Sequence, residues 1–159
     1  MNERSLRKRV LCCVILALIM VSVCACGEPK TAPACVEITE QIRNAAPFQT
    51  LTATSEKYIL RHLLLDAEQL EDSSLLSDET GATPEMILAV KAASEKELSA
   101  VKEAVQEYLD EMLLQYRDYQ PDQMPKLENA TVRVFGTTVV LIVSPDKVKT
   151  DKVLEKLLK

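Results

Sequence analysis

His62 is the sole histidine of the chain and so the first place to look for acid–base chemistry. On a helix it would share a side with Tyr58 and with Asp66, whose carboxylate could orient the imidazole as a general base requires. No serine or cysteine is placed by a motif to serve as its nucleophile. The expected reading is therefore a surface histidine, with no catalytic residue and no enzyme. Glu68, Glu71, Asp72, Asp78 and Glu79 form an acidic stretch. A calcium loop alternates its carboxylates around a turn glycine, and Asp78-Glu79-Thr80-Gly81 lacks that alternation, so a solvated loop is expected. Three of the six aromatic residues, Tyr108, Tyr116 and Tyr119, fall within twelve positions, with Pro121 and Pro125 just after them. Tyr116, Tyr119 and Pro121 are the candidate rim of a peptide or glycan groove. The plainer alternative has them closing the open end of the core where the chain turns back. With glycines only at 27, 81 and 136, no glycine-rich phosphate loop exists.

The other reactive side chains are five cysteines, and their placement decides what they can be. Arg4, Arg7, Lys8 and Arg9 precede a fourteen-residue segment, Val10 to Val23, whose only polar side chain apart from thiols is Ser22. Crossing a bilayer as a helix takes about 20 residues, so this length suits a signal-peptide core better than a retained anchor. The segment exits through Val23-Cys24-Ala25-Cys26-Gly27. That run resembles the lipobox of bacterial lipoproteins: an aliphatic residue, two small ones, then the cysteine. A diacylglyceryl group is joined through a thioether, which needs a thiol, and the signal peptidase needs small residues before the cut. Modification at Cys24 would place branched Val23 before the cut, where it fits badly, so Cys26 is the expected lipidation site. Two acyl chains suffice for stable attachment where one is marginal.

Residues 1–25 are thus read as a signal peptide, 26–34 as a lipidated tether and 35–159 as a single domain on the outer side of the cell membrane. Cys12, Cys13 and Cys24 leave with the signal and Cys26 carries lipid, which leaves Cys35 unpaired and half-buried near the domain's start. Zinc needs about four ligands, and one free cysteine with one histidine does not supply them; no metal and no cofactor is expected. The mature part keeps 15 basic against 23 acidic residues, a net charge of −8. Such a surface is repelled by nucleic acid and anionic lipid headgroups, so neither is an expected partner. Pro29 and Pro33 with small and charged neighbours fit a tether, which extended would reach about 25 Å over eight residues.

Further along, Val36 to Ala45 reads as a short helix stopped before Pro47. Ser55 to Asp66 reads as a second helix, with Ile59, Leu60, Leu63 and Leu64 on one side and Thr54 or Ser55 as its cap. Gln69 to Ser77 precedes the loop at Ser77 to Ala82. Met86 to Ala92 is an apolar run that periodicity alone does not assign; a helix running on from Thr83-Pro84-Glu85 is the alternative. Ser94-Glu95-Lys96-Glu97 has the spacing of a capping box, a fresh helix start, which favours a strand before it. Leu98, Val101, Val105, Tyr108, Met112 and Tyr116 then recur at three- and four-residue steps. This main helix must bury its stripe on something flat. Thr131 to Phe135 and Thr138 to Ser144 supply the strands, joined by a tight turn at Gly136-Thr137. Thr138 to Val143 is apolar on both faces and belongs in the middle of the sheet. Ser144-Pro145-Asp146 opens a last helix that buries Val148, Val153, Leu154, Leu157 and Leu158. The fold class is α+β: a small antiparallel sheet of about four strands, a long amphipathic helix packed on one face, and a C-terminal helix.

The lipobox, the Ile87-Leu88-Ala89-Val90-Lys91 strand, the amphipathic helix, Tyr119-Gln120-Pro121-Asp122-Gln123, Leu127-Glu128-Asn129-Ala130 and the Gly136 hairpin follow one another in order. Together they resemble a family of short bacterial lipoproteins known as a domain of unknown function, over roughly residues 50–158 and the signal. The resemblance implies no catalytic residue and no ligand. Two functions remain: a membrane-anchored, non-enzymatic module binding an envelope protein or component, or a small-ligand-binding lipoprotein accessory to a transporter. A pocket of several hundred cubic ångströms would favour the latter. For the anchor itself, Cys26→Ala should abolish lipid labelling and membrane retention. A Cys26→Ala protein still labelled, processed and retained would overturn the assignment.

Overall fold

Strand Met86–Ala92 is buried along nearly its whole length, with Lys91 alone reaching the surface. The computed structural model describes residues 33–158, so the expected signal, Cys26 and all but the end of the tether lie outside the described residues. Helix α1 (Cys35–Arg43) comes first, then the two-residue strand β1 (Thr52–Ala53) and helix α2 (Glu56–Leu63). Strands β2 (Leu70–Ser77) and β3 (Met86–Ala92) follow, and then the long helix α3 (Leu98–Tyr119). The short helix α4 (Met124–Glu128), strands β4 (Thr131–Phe135) and β5 (Thr138–Val143), and helix α5 (Lys147–Leu157) complete the order. The five strands form one antiparallel sheet in the order β1-β2-β3-β5-β4. That is one strand more than expected: β1 is an edge pairing of Thr52 with Ser77 and Ala53 with Leu76, too short to leave a period-two pattern.

Met86 to Ala92 is a strand, and β5 lies inside the sheet between β3 and β4. The β3–β5 pairing runs from Met86↔Val143 to Lys91↔Thr138. Because strand side chains alternate, it sends Leu88, Val90, Val139 and Leu141 to one face and Ile87, Ala89, Val140 and Ile142 to the other. The first set packs with Ile59 and Leu63 of α2, Val101, Val105 and Met112 of α3, and Leu127 of α4. The second packs with Cys35, Ile38 and Ile42 of α1 and Leu154 of α5. The sheet is therefore covered on both faces, with α3 across one, as expected, and α1 with α5 across the other.

Local starts differ from the sequence expectation in physical detail. Helix α3 begins at Leu98, with Ser94 to Glu97 forming a turn before it, so the Ser94 box does not cap it. Glu97 instead accepts a hydrogen bond from Gln69 Nε2 at 3.3 Å. Ser55 stands at the N-cap of α2 without a side-chain cap bond. Helix α5 is capped by Asp146, which accepts from the Lys149 amide at 3.1 Å, two residues after the expected Ser144. That shift turns Val148 outward, 78% exposed, and gives the buried place to Thr150. Gly136 turns the β4–β5 hairpin at φ +54, the conformation a tight turn asks of glycine.

Two-faced burial carries a quantitative consequence. Ile87→Ala and Leu88→Ala, on opposite faces of β3, should each cost about 2–5 kcal/mol in chemical denaturation. A near-neutral result for either would mean that its helical layer does not pack on the sheet.

Candidate functional site

Three of the chain's four tyrosines meet where α2 and α3 pass the turn end of β2 and β3. Tyr58 and His62 project from α2 one helical turn apart, and Tyr108, Met112 and Tyr116 project from α3 at steps of four. With Ser77, Asp78 and Thr83 to Met86 from the strand ends, they line a cleft of about 300 Å³, with Glu111 and Gln115 on its helical wall. This is at the small end of the usual range for ligand pockets.

The His62 ring lies 4.0 Å from that of Tyr58, centroid to centroid, at an interplanar angle of 33°. It also faces Tyr108 at 5.9 Å and 60°. The expected Asp66 partner is lost because α2 ends at Leu63 and Leu64 takes the left-handed conformation, φ 51. Asp66 then leaves the helical face and caps the 3₁₀ turn Ala67–Gln69. Burial pushes the Tyr108 hydroxyl up to about 12, with Tyr58, Tyr116 and Glu111 adding to the shift. Tyr116 is likewise raised, by burial and then by Asp78.

The acidic groups of the cleft have different employment. Asp78 accepts from the Thr80 amide and hydroxyl at 2.9 and 2.6 Å, and from those of Thr83 at 3.0 and 3.2 Å. Its carboxyl is held below the usual carboxylate value, the Thr80 hydroxyl being the main cause. Glu85 is 2% exposed. Its two oxygens accept from Lys126 Nζ at 2.8 Å and from the Gln49 amide at 2.8 Å. Both carboxylates thus hold loops in place, and Ser77 Oγ pairs with Thr54 Oγ1 at 3.3 Å. Glu111 stands exposed on α3. The rest of the acidic stretch disperses: Glu71 pairs with Lys91 at 2.6 Å, and Asp72 accepts from the Cys35 amide at 2.7 Å. Among the described residues no group of three His, Cys, Asp or Glu side chains is placed to hold a metal ion.

The structure divides the expected rim. Tyr116 is a cleft wall and 9% exposed, whereas Tyr119 is 82% exposed and Pro121 lies outside the lining. Gln120 between them ties the end of α3 to the Asp78 loop, its Nε2 donating to the Gly81 carbonyl at 2.9 Å. Tyr108, which clusters in sequence with Tyr116 and Tyr119, does line the cleft; Tyr58 was not expected there, and its i, i+4 spacing to His62 was the sequence signal for its side. Cys35, expected half-buried, is fully buried. Burial pushes its thiol from 9.0 up to about 12, with Asp72 contributing.

The fold and site together define a small α+β domain: an antiparallel sheet between two helical layers, with an aromatic cleft at one end of the longer layer. The family model described as Domain of unknown function (DUF4358) matches residues 44–144, and the chain belongs to that family. The matched segment includes the whole cleft and leaves α1 and α5 on either side of it. No curated protein and no solved structure matches the chain.

Burial disfavours the thiolate of Cys35, and thiolate is the reactive form. Residue-specific mass spectrometry after iodoacetamide treatment at pH 8 should find Cys35 unmodified in the folded chain and modified in denaturant. Rapid alkylation of folded protein would show the residue to be accessible and reactive.

Proposed function

We propose that this protein is a lipid-tethered, non-enzymatic bacterial lipoprotein whose outward-facing domain binds a small ligand between α2, α3 and the β2–β3 turn. The observation that carries the reading is the cleft of about 300 Å³ walled by Tyr58, Tyr108 and Tyr116. Aromatic walls with a few fixed polar groups are the usual make-up of a small-molecule site. The non-enzymatic part rests on the employment of the polar groups. His62 stacks on tyrosine, Ser77 pairs with Thr54, Asp78 accepts from Thr80 and Thr83, and Glu85 accepts from Lys126 and the Gln49 amide, so none of them forms a nucleophile–base pair. The tether rests on the Cys26 lipobox and the signal before it. No helix of the described residues is long and apolar enough to cross a membrane.

Exposed Tyr119 at the end of α3 favours a second reading, the docking of an envelope protein beside the cleft. The two separate in one experiment. A fragment library screened by ligand-observed NMR should yield ligands that bind the wild type and lose at least tenfold affinity in Tyr58→Leu/Tyr108→Leu. Ligands indifferent to those substitutions, or no ligands, would reject the cleft as a binding site.

A further inference from the structure

The lining of the cleft holds three carboxylates, Asp78, Glu85 and Glu111, and neither lysine nor arginine. Lys126 neutralises Glu85 from outside the lining, and Asp78 donors are uncharged hydroxyls and amides that leave its charge in place. Two negative charges therefore face a space walled by tyrosine rings and by Met86 and Met112. Aromatic faces present negative potential to a cation, and thioether sulfur is soft and polarizable. An anionic ligand would meet carboxylates with no cation to receive it. A neutral one would leave the charges of Asp78 and Glu111 without a counter-ion in the lining.

We propose that the cleft binds a small organic cation of the quaternary-ammonium type, its methyl groups against Tyr58, Tyr108 and Tyr116 and its charge toward Glu111 and Asp78. This rests on the small-ligand reading above. A cavity of about 300 Å³ admits a molecule of choline size with room for one polar substituent. His62, 4.0 Å from the Tyr58 ring and 5.9 Å from that of Tyr108, belongs to the same lining.

The probes are choline, its neutral isostere 3,3-dimethylbutan-1-ol, and acetate, titrated into the full chain in neutral detergent micelles while the tyrosine ring resonances are followed. Choline should shift the rings of Tyr58, Tyr108 and Tyr116 and bind at least tenfold more tightly than the isostere, an advantage that added salt diminishes. Glu111→Gln, an exposed change that spares the core, should reduce choline affinity about fivefold and leave the isostere unaffected. Tyr58→Phe should retain binding that Tyr58→Leu loses. Equal or tighter binding of the isostere or acetate at the same rings would overturn the cation assignment and leave the cleft a binding site. Rings unmoved by all three would also overturn it, and the fragment screen would then decide separately whether the cleft binds anything.

Discussion

Strands β3 and β5 pair over six positions, and the side chains on both sides of that ladder are almost all apolar and buried. A pair of this kind cannot leave either face in water: at about 25 cal/mol per Å² of apolar surface, each exposed face would forgo several kcal/mol. Two helical layers are the consequence. Helices α2, α3 and α4 cover one face, and α1 and α5, which come from opposite ends of the domain, meet on the other. The flanking strands then serve a second purpose, since β2 and β4 satisfy the outer hydrogen-bonding edges of the central pair.

The cleft follows from a mismatch of lengths in the same packing. Helix α3 has 22 residues and rises about 33 Å, while the seven residues of β3 extend about 23 Å. Entering from the Ala92 end, the helix runs back along β3 and overshoots its Met86 end. There Tyr116 lines the cleft together with Asp78 and with Thr83 to Met86 of the turn between β2 and β3. Glu85 fixes that turn by joining it to the Gln49 amide and to Lys126 of α4 in one buried carboxylate. A buried ion pair of this sort costs desolvation and is a weak source of net stability. Its effect is geometric: three segments distant in sequence are held at one point beside the tyrosines.

How much of this could be read from the residues depends on the range of the interaction. The stripe of α3, the Gly136 hairpin and the two-sided apolar character of β5 are local patterns, and the structure contains all three. The doubling of the helical layers was implicit in β5 but needed α1 and α5 to find each other across the whole domain. Capping spacings misled at Ser94 and Ser144 because each motif describes two or three hydrogen bonds, and Glu97 and Asp146 had competing ones. Tyr108 and Tyr116, eight residues apart on α3, meet Tyr58 about fifty residues away, a juxtaposition no spacing rule contains. Tyr119 sits on the final turn of the helix and is 82% exposed. Clustering in sequence grouped it with Tyr116, and the end of the sheet separated them.

The two helical layers also divide the domain's surfaces by role. Chain from the direction of Cys26 enters the fold at Cys35, whose amide is held by Asp72 and whose thiol is buried under α1. Helix α1 belongs to the layer opposite α3, so it and the cleft lie on different faces of the sheet.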